Sequence, residues 1–292
     1  MNIRASDAGR FTPAGSSLSL TRMGYGAMQL AGPGVMGPPK DPEAALAVLR
    51  EAIELGVDHI DTADFYGPHI TNQIIKQALH PYPEQLTIVT KIGADRGEDG
   101  SWNLDNSPQA LVRAVHDNLR NLGLDRLSVV NLRVGTPYGP QEGSIEAPLE
   151  TVLELQYQGL IEHVGISTVN EDQVRQARGM GKIVCVQNHY NLAHRTDDAM
   201  IDELAQAGIA YVPYFPLGGF SPLQSGVLDE VAAELNASPM QVALAWLLQR
   251  SPNILLIPGT SSVAHLRQNV AAAGLSLPEA ALQRLNSIAA AQ

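Results

Sequence analysis

The stretch LSVVNLRVG (residues 127–135) has the composition of a buried β-strand that ends at a glycine. Val129 and Val130 are the apolar centre of the run, and yet Asn131 and Arg133 follow within it. Because successive side chains of a strand point to opposite faces, Asn131 and Arg133 share one face. The sequence therefore predicts a strand that aims two polar groups at one place.

The same kind of apolar run recurs along the chain and alternates with amphipathic helical segments. Between two runs, for example, residues 107–123 enter a helix through Ser107-Pro108 and leave it at Gly123. The eight strand-like runs are 22–28, 59–63, 86–92, 127–134, 163–168, 183–190, 210–217 and 254–259. Alternating strands and helices require parallel strands.

Eight such units in 292 residues fit a closed barrel better than an open doubly wound sheet. The sequence predicts an α/β fold, a single (β/α)8 TIM barrel, and no long linker divides residues 1–292 into two domains. The longest irregular stretches all follow strands, and such loops gather at the C-terminal face of a barrel. We therefore expect the active site at that face.

Composition narrows the range of partners. A net charge of -11 without a basic cluster argues against nucleic acid and against an anionic membrane surface, and favours a small-molecule ligand. The single cysteine, Cys185, excludes an intrachain disulfide framework, and the polar start MNIRASDAGR lacks the apolar core of a signal peptide. No apolar run reaches the roughly 18 residues of a membrane span. We expect a cytoplasmic protein, a monomer or weak homo-oligomer, without a metal.

Three polar residues stand at the ends of the second and third predicted strands. Asp61 and Tyr66 lie in HIDTADFYG, and Lys91 ends the next strand in IVTKIG. A neighbouring ammonium favours the phenolate form of a tyrosine, which makes it a better proton donor near neutrality. Taken singly, each residue is more often a turn residue, a pocket wall or a solvated lysine, so the prediction of catalysis depends on the combination.

The motifs DTADFYG, TKIG, HVGIST, VQNHYN, FPLGG and IPGTSSVAHLRQN, in this order, resemble the signatures of the aldo-keto reductases over nearly the whole chain. Within that family the chain looks closest to the bacterial pyridoxal reductases, through GYGAMQLAGPGVMGPP, DFYGPHITNQII and SVVNLRVG. The resemblance implies a (β/α)8 barrel that reduces aldehydes and ketones with a nicotinamide cofactor, NADPH. It also implies that the small-molecule substrate is an aldehyde.

The resemblance also assigns catalytic roles. Tyr66 would be the general acid, with Lys91 as its activating ammonium and Asp61 as the partner of Lys91. The fourth catalytic residue of the family is a histidine, and Asn131 stands at its position. An amide can orient the substrate carbonyl but supplies no proton; the alternative is a polar core residue. Arg133 either holds an anionic or phenolic substrate group or forms a structural ion pair.

Further residues are assigned to the nicotinamide half of the cofactor by the same resemblance. Ser167 and Gln187 would bind the carboxamide, Tyr214 would stack on the ring, and Thr168 replaces the asparagine that the family usually has after that serine. Beside the ring and the pyrophosphate, the implied contacts are Gly26, Ala27, Met28, Leu217 and Gly218.

The segment 257–269 offers an anion site, because hydroxyl and N–H groups gather there at a helix N-terminus. Thr260, Ser261 and Ser262 supply those groups, whereas Gly259 and His265 stand where many relatives have a lysine and an arginine for the 2'-phosphate. The resemblance places Asn269 at the adenine. Without the resemblance the segment is simply a capped surface helix.

The function that the resemblance implies is NADPH-dependent reduction of pyridoxal to pyridoxine. Three alternatives remain open at the level of sequence. They are a reductase of other aldehydes, an NADPH-binding regulatory subunit that senses redox state, and a phosphate-binding barrel lyase or isomerase.

Overall fold

The computed structural model of the protein describes residues 3–137, 139–216, 218 and 225–289. The strands in these ranges are β1 (Arg10–Phe11), β2 (Leu20–Thr21), β3 (Tyr25–Gly26), β4 (His59–Asp61), β5 (Thr87–Ile92), β6 (Ala94–Arg96), β7 (Trp102–Leu104), β8 (Leu127–Arg133), β9 (Ile161–Ser167), β10 (Ile183–His189) and β11 (Ala210–Tyr214).

The α-helices in the same ranges are α1 (Pro42–Glu54), α2 (Ile70–Leu79), α3 (Pro108–Leu122), α4 (Glu146–Tyr157), α5 (Glu171–Met180), α6 (Asp198–Gln206), α7 (Gly226–Glu234), α8 (Pro239–Arg250), α9 (Val263–Ala271) and α10 (Glu279–Asn286). Short 3-10 helices lie at Ala5–Ala8, Met28–Leu30, Pro33–Val35 and Ala272–Gly274.

The central sheet is parallel and closes into a barrel. Seven strands pair in the order β11-β10-β9-β8-β5-β4-β3. Residues 254–259 then join the two edges, because Ile254 pairs with Tyr211 of β11, and Gly259 pairs with Gly26 of β3. All of these bridges are parallel. The predicted (β/α)8 TIM barrel is confirmed, with the eighth strand present as bridges rather than as a continuous ladder.

Strand alternation divides the apolar core into two parts. Val89 and Val129 lie two positions before Lys91 and Asn131, on the same strand faces, and pack inside the barrel. Val130, which lies between Val129 and Asn131, and Ile92, which follows Lys91, have the opposite orientation and belong to the larger layer between barrel and helices. Leu20, in the antiparallel hairpin β1–β2, packs against the inner cluster. Asn131 therefore stands on the strand face that lines the barrel.

Helix α3 follows the signals in its sequence. Ser107 caps it by accepting a hydrogen bond from the N–H of Ala110, Pro108 occupies its first turn, and Gly123 ends it with φ 68°. The long stretch 93–106, expected to be irregular, contains the antiparallel hairpin β6–β7. Within the described ranges, every helix is too short or too polar to span a membrane.

Candidate active site

An ion pair at the mouth-facing ends of β4 and β5 is the centre of the site. The Nζ atom of Lys91 donates to Oδ1 of Asp61 at 2.5 Å and to the carbonyl of Thr62 at 3.0 Å. Both charged side chains are buried. Burial by itself lowers the pKa of Lys91, but the charge of Asp61 and the contacts with Asp61 and Tyr66 outweigh it and raise the pKa above its usual value. The ammonium is therefore retained at neutral pH.

Tyr66 lies on the loop after β4, where its ring centroid is 5.2 Å from Nζ of Lys91. Its neighbour Phe65 packs edge-on against it, with the ring centroids 5.4 Å apart. The structure thus brings Asp61, Tyr66 and Lys91 together as the sequence predicted. This arrangement places a cation next to a buried phenol.

A buried polar network fixes the loop that carries Tyr66. Oδ1 of Asp64 accepts hydrogen bonds from the amides of Asn72 at 3.0 Å and Asn121 at 2.9 Å. Its Oδ2 is 2.6 Å from Nδ1 of His69, and His69 has a left-handed φ of 68°. His69 therefore anchors this loop. Sequence patterns had not marked Asp64, Asn72 or Asn121.

Asn131 is completely buried, beside Lys91 in the register of β5 and β8. Its carbonyl oxygen accepts from the thiol of Cys185 at 3.2 Å, and its amide nitrogen has no partner among the described residues. Burial raises the pKa of Cys185 to about 12, so this thiol stays protonated and can donate. On β9, Gly165 makes room for the amide, since a Cβ there would lie 2.1 Å from Oδ1 of Asn131. The side chain is therefore held by its carbonyl oxygen.

A cavity of about 370 Å³ opens directly above the ion pair. Several of the residues expected in the site line it, namely Gly26, Met28, Asp61, Tyr66, Lys91, Arg133, Gln187, Tyr214 and Gly259. Three aromatic walls that the sequence reading had not identified are Phe65, Trp102 and Phe215. Trp102 comes from the hairpin β6–β7, and the Arg96 guanidinium lies 3.9 Å from the centroid of its ring. The loop that contains Trp102 is rich in glycine and charged residues, so its sequence did not indicate an aromatic wall.

Gln187 links the ion pair to the cavity. Its amide nitrogen donates to Oδ2 of Asp61 at 2.8 Å, while its carbonyl oxygen is buried and meets no donor in the part of the chain that the structure describes. Gly26 and Gly259 pair across the barrel closure, where a Cβ on Gly26 would lie 2.4 Å from the carbonyl oxygen of Ile257. Only glycine fits at this approach of two backbones. The cavity floor thus has an available hydrogen-bond acceptor, the carbonyl oxygen of Gln187, next to a wall of glycine backbone without side chains.

Ser167, Thr168 and Tyr214 form a row of hydroxyl groups at one edge of the mouth. The Ser167 hydroxyl is 3.3 Å from that of Thr168, which is 3.4 Å from the Tyr214 phenol. Thr168 has φ 58°, a conformation that is rare for a β-branched residue and is often found at functional sites. Ser167 and Thr168 are fully buried.

The residues expected at the phosphate and adenine ends of the cofactor are spread around the start of α9. Thr260 is buried and its carbonyl accepts from the Tyr25 hydroxyl at 2.6 Å. Ser262 caps the helix by accepting from the N–H of His265 at 3.4 Å. Ser261 lines a second groove, of about 490 Å³, which shares Met28 with the main cavity.

Four more of the residues that were expected to contact the cofactor lie in different environments. Ala27 is buried and its N–H donates to the carbonyl of Asp61 at 2.8 Å, and Asn269 is buried within α9. His265 is exposed on α9. Gly218 has φ 89° and donates to the carbonyl of Phe215 at 3.0 Å, whereas Leu217 lies outside the described residues.

A barrel with a buried aspartate–lysine pair, a tyrosine above it and an aromatic cavity at its mouth is the arrangement that the sequence motifs implied. The model of the aldo/keto reductase family matches residues 22–290, and this chain belongs to that family of oxidoreductases.

Known proteins resemble this chain in sequence or in fold. Pyridoxine 4-dehydrogenase of Escherichia coli K12 is 68% identical over 272 residues, which cover 92% of this chain and 95% of that protein. The solved structure of the thermostable aldo-keto reductase Tm1743 with the inhibitor epalrestat is 27% identical, with a TM-score of 0.80 over 96% of this chain and 99% of its own. An aldo-keto reductase from Klebsiella pneumoniae, solved with NADPH, is 21% identical with a TM-score of 0.76 and covers 96% of this chain and 95% of its own.

Proposed function

We propose that this protein is an NADPH-dependent carbonyl reductase that interconverts pyridoxal and pyridoxine. The observation that carries the proposal is the buried pair of Asp61 and Lys91 beside Tyr66, at the floor of an aromatic cavity. The similarity to a pyridoxine 4-dehydrogenase over most of both chains supports the choice of substrate.

The residues at the cavity floor fit a nicotinamide. The unpartnered carbonyl oxygen of Gln187 can accept a hydrogen bond from a carboxamide N–H, and the flat wall at Gly26 and Gly259 admits a planar ring. Tyr214 lines the same cavity and offers a ring face for stacking. Ser167 and Thr168 support Tyr214 through their row of hydroxyls. When bound, a reduced nicotinamide supplies hydride to the carbonyl carbon.

The chain's own residues handle the proton. Tyr66 gives its phenolic proton to the carbonyl oxygen of the substrate, and the adjacent Lys91 ammonium stabilises the phenolate that remains. Asp61 keeps Lys91 charged and in place through the 2.5 Å contact. The N–H pair of Asn131 has no acceptor among the described residues and lies beside Lys91, whereas Asn131 itself is fully buried and is not among the residues that line the cavity. We propose that a small shift of this side chain toward the cavity lets it donate to the developing oxyanion. In the reverse direction Tyr66 takes the alcohol proton back.

Recognition of the cofactor phosphates belongs to the second groove. The start of α9 supplies hydroxyl and N–H groups through Ser261 and Ser262, close to His265. Lys40 lines the same groove as Ser261 and adds the cation that Gly259 and His265 do not supply. No acidic side chain of the described residues forms an ion pair with Lys40. We propose that Lys40 favours the 2'-phosphate of NADPH, with Asn269 at the adenine and Leu217 and Gly218 beside the pyrophosphate.

The remaining parts of the proposal concern the setting of the enzyme. Residues 1–292 form one catalytic domain, which acts in the cytoplasm as a monomer or weak homo-oligomer. Its partner is a small aldehyde rather than nucleic acid, in keeping with the net charge of -11.

The deciding experiment offers purified protein NADPH together with pyridoxal and follows the loss of nicotinamide absorbance. Product identity is checked as pyridoxine, and NADP with pyridoxine tests the reverse reaction. Turnover of other aldehydes without pyridoxal would keep the reductase and reject the substrate. NADPH binding without turnover of any aldehyde would favour a redox-sensing subunit, and absence of NADPH binding would favour a barrel enzyme of another class.

A further inference from the structure

Arg133 is a cation that faces the cavity without a carboxylate partner. It lies at the end of β8 and lines the cavity, partly buried. Its guanidinium donates to the carbonyl oxygen of Thr136 at 3.1 Å, and no acidic side chain of the described residues pairs with it. Arg126, at the opposite end of the same strand, pairs with Glu162 at 3.2 Å. The structural ion pair that was one reading of Arg133 is therefore absent from the described part of the chain.

The surroundings of Arg133 favour a flat anionic ligand. Phe65, Trp102 and Tyr214 are aromatic walls of the same cavity. A partly buried guanidinium gains most from an anion that can accept its remaining N–H groups, because its own desolvation is otherwise uncompensated. Aromatic walls in turn favour a planar ring. An arginine at this place thus suits an aromatic substrate with a negatively charged substituent.

The position of Arg133 along the strand fits a substituent near the reacting carbonyl. Asn131 pairs in register with Lys91, and Arg133 follows it by two residues on the same face. Two residues of a parallel strand advance by about 6.6 Å. When the substrate carbonyl oxygen lies at Tyr66 and Asn131, Arg133 is therefore about 6.6 Å farther toward the mouth. This places Arg133 beside the ring that carries the carbonyl.

We propose that Arg133 determines specificity by binding an ionised hydroxyl on the aromatic ring next to the aldehyde, as in a 3-hydroxypyridine-4-carbaldehyde. This inference rests on the proposed reductase function and names the substrate feature that the site selects. The ring nitrogen and the aldehyde both withdraw electrons, which makes such a hydroxyl acidic. A phosphate ester on the same ring is the other source of negative charge. One guanidinium with an N–H already given to Thr136 balances a single charge, which favours the phenolate over a phosphate dianion.

The test compares matched aldehydes on matched variants. Pyridine-4-carbaldehyde and 3-hydroxypyridine-4-carbaldehyde differ only in the hydroxyl, and pyridoxal and pyridoxal 5'-phosphate differ only in the phosphate. Arg133→Met keeps an unbranched apolar stem and removes the charge, whereas Arg133→Lys keeps the charge and loses the planar fork. Arg126→Met is the control at the far end of β8. For each protein, kcat and KM are measured with NADPH, and NADPH affinity is measured by fluorescence.

The wild-type protein is expected to prefer the hydroxylated aldehyde by about 10- to 100-fold in kcat/KM, the usual range for a hydrogen bond to a charged group. Arg133→Met abolishes this preference through a higher KM for the hydroxylated aldehyde, changes kcat/KM of the aldehyde without the hydroxyl much less, and leaves NADPH affinity unchanged. Arg133→Lys restores part of the preference, and Arg126→Met behaves as wild type.

Two results overturn the inference. One is a wild-type protein that reduces both pyridine aldehydes equally well, which decides the matter even where a variant fails to fold. The other is an Arg133-dependent preference for pyridoxal 5'-phosphate, which would assign the guanidinium to a phosphate. Absence of turnover with every aldehyde would instead reject the reductase function itself, so the two failures are distinguishable.

Discussion

Replacing Gly165 by alanine tests the position of Asn131 by crowding its amide from the neighbouring strand. A Cβ at Gly165 would lie 2.1 Å from Oδ1 of Asn131, 2.5 Å from Sγ of Cys185 and 3.0 Å from the backbone oxygen of Cys185. Ordinary van der Waals contact begins near 3.4 Å, so both side chains must move by roughly 1 Å. The backbone of β10 cannot yield as a side chain end can. We therefore expect the Asn131 amide to be displaced from its hydrogen bond with Cys185.

The magnitude has two parts. Crowding a packed core costs about 1–3 kcal/mol in the free energy of unfolding. Losing one donor to a developing oxyanion costs about 2–4 kcal/mol in the transition state, which corresponds to about 30- to 900-fold in kcat/KM. Because the clash involves only Asn131 and Cys185, neither of which is assigned to the cofactor, the variant should retain its NADPH affinity.

The assay measures kcat/KM for pyridoxal at a temperature well below the melting midpoint, next to urea unfolding of the same preparation. Gly179→Ala is the matched control, since Gly179 lies in α5 and a Cβ there meets nothing within 4 Å. The double variant Gly165→Ala with Cys185→Ala should recover part of the lost stability because it removes the nearest sulfur. Wild-type activity in stable Gly165→Ala protein would refute the role of Asn131 as an oxyanion donor.

Three further outcomes are expected. Tyr66→Phe should lower kcat by two orders of magnitude or more with NADPH affinity unchanged, whereas Tyr82→Phe, remote from the cavity, should retain wild-type turnover; an active Tyr66→Phe enzyme would remove the general acid. Lys40→Ala should weaken NADPH binding by about two- to fivefold in a fluorescence titration and leave NADH binding unchanged, and an equal loss for both would contradict phosphate recognition. Asp58→Ala should lower the free energy of unfolding by about 1–3 kcal/mol at pH 7, because the buried N–H of Thr21 loses its acceptor at 2.9 Å.

The pH dependence of the Asp58 effect has a definite sign. Burial opposes ionisation of Asp58, but its contacts with His59 and Thr21 outweigh it and hold its pKa below the usual value. The stabilisation by Asp58 is therefore complete above about pH 4, near the ordinary pKa of an aspartate, and is lost as the pH falls through the lower pKa of the folded state. The difference between wild type and Asp58→Ala should shrink in acid. A difference that grows below pH 4 would contradict this assignment.

Local patterns in the sequence were sufficient for the barrel. Helix α3 carries its own start and stop residues, and the strands of the sheet are short apolar runs with clear ends. The eighth strand was predicted from residues 254–259, although its pairing exists only as bridges to Tyr211, Met23 and Gly26. The periodicity of apolar residues indicates which faces of the strands and helices are buried. A barrel forms when these buried faces pack against each other, so this information was enough to predict it.

Contacts between distant segments could not be derived in the same way. The wall formed by Trp102 depends on the hairpin β6–β7, which lies in a stretch of glycine and charged residues without an apolar pattern. The network around Asp64 joins residues up to 57 positions apart. The burial of Asn131 depends on the missing side chain at Gly165, one strand away. Such contacts depend on tertiary packing, which cannot be derived from the local patterns of a single sequence.

The closure of the barrel affects the order in which the parts of the enzyme fold. Asp61 and Lys91 are synthesised early. Gly26 can pair with Gly259 only after the last strand has been synthesised, and the ring of strands is complete only then. A contact between such distant positions is slow to form, since a long loop must close first. A chain interrupted before residue 254 would lack the segment that joins the two edges of the sheet. NADPH should accordingly act as a stabilising ligand of the finished ring alone, raising its stability by about 2.7 kcal/mol at a hundredfold excess over Kd.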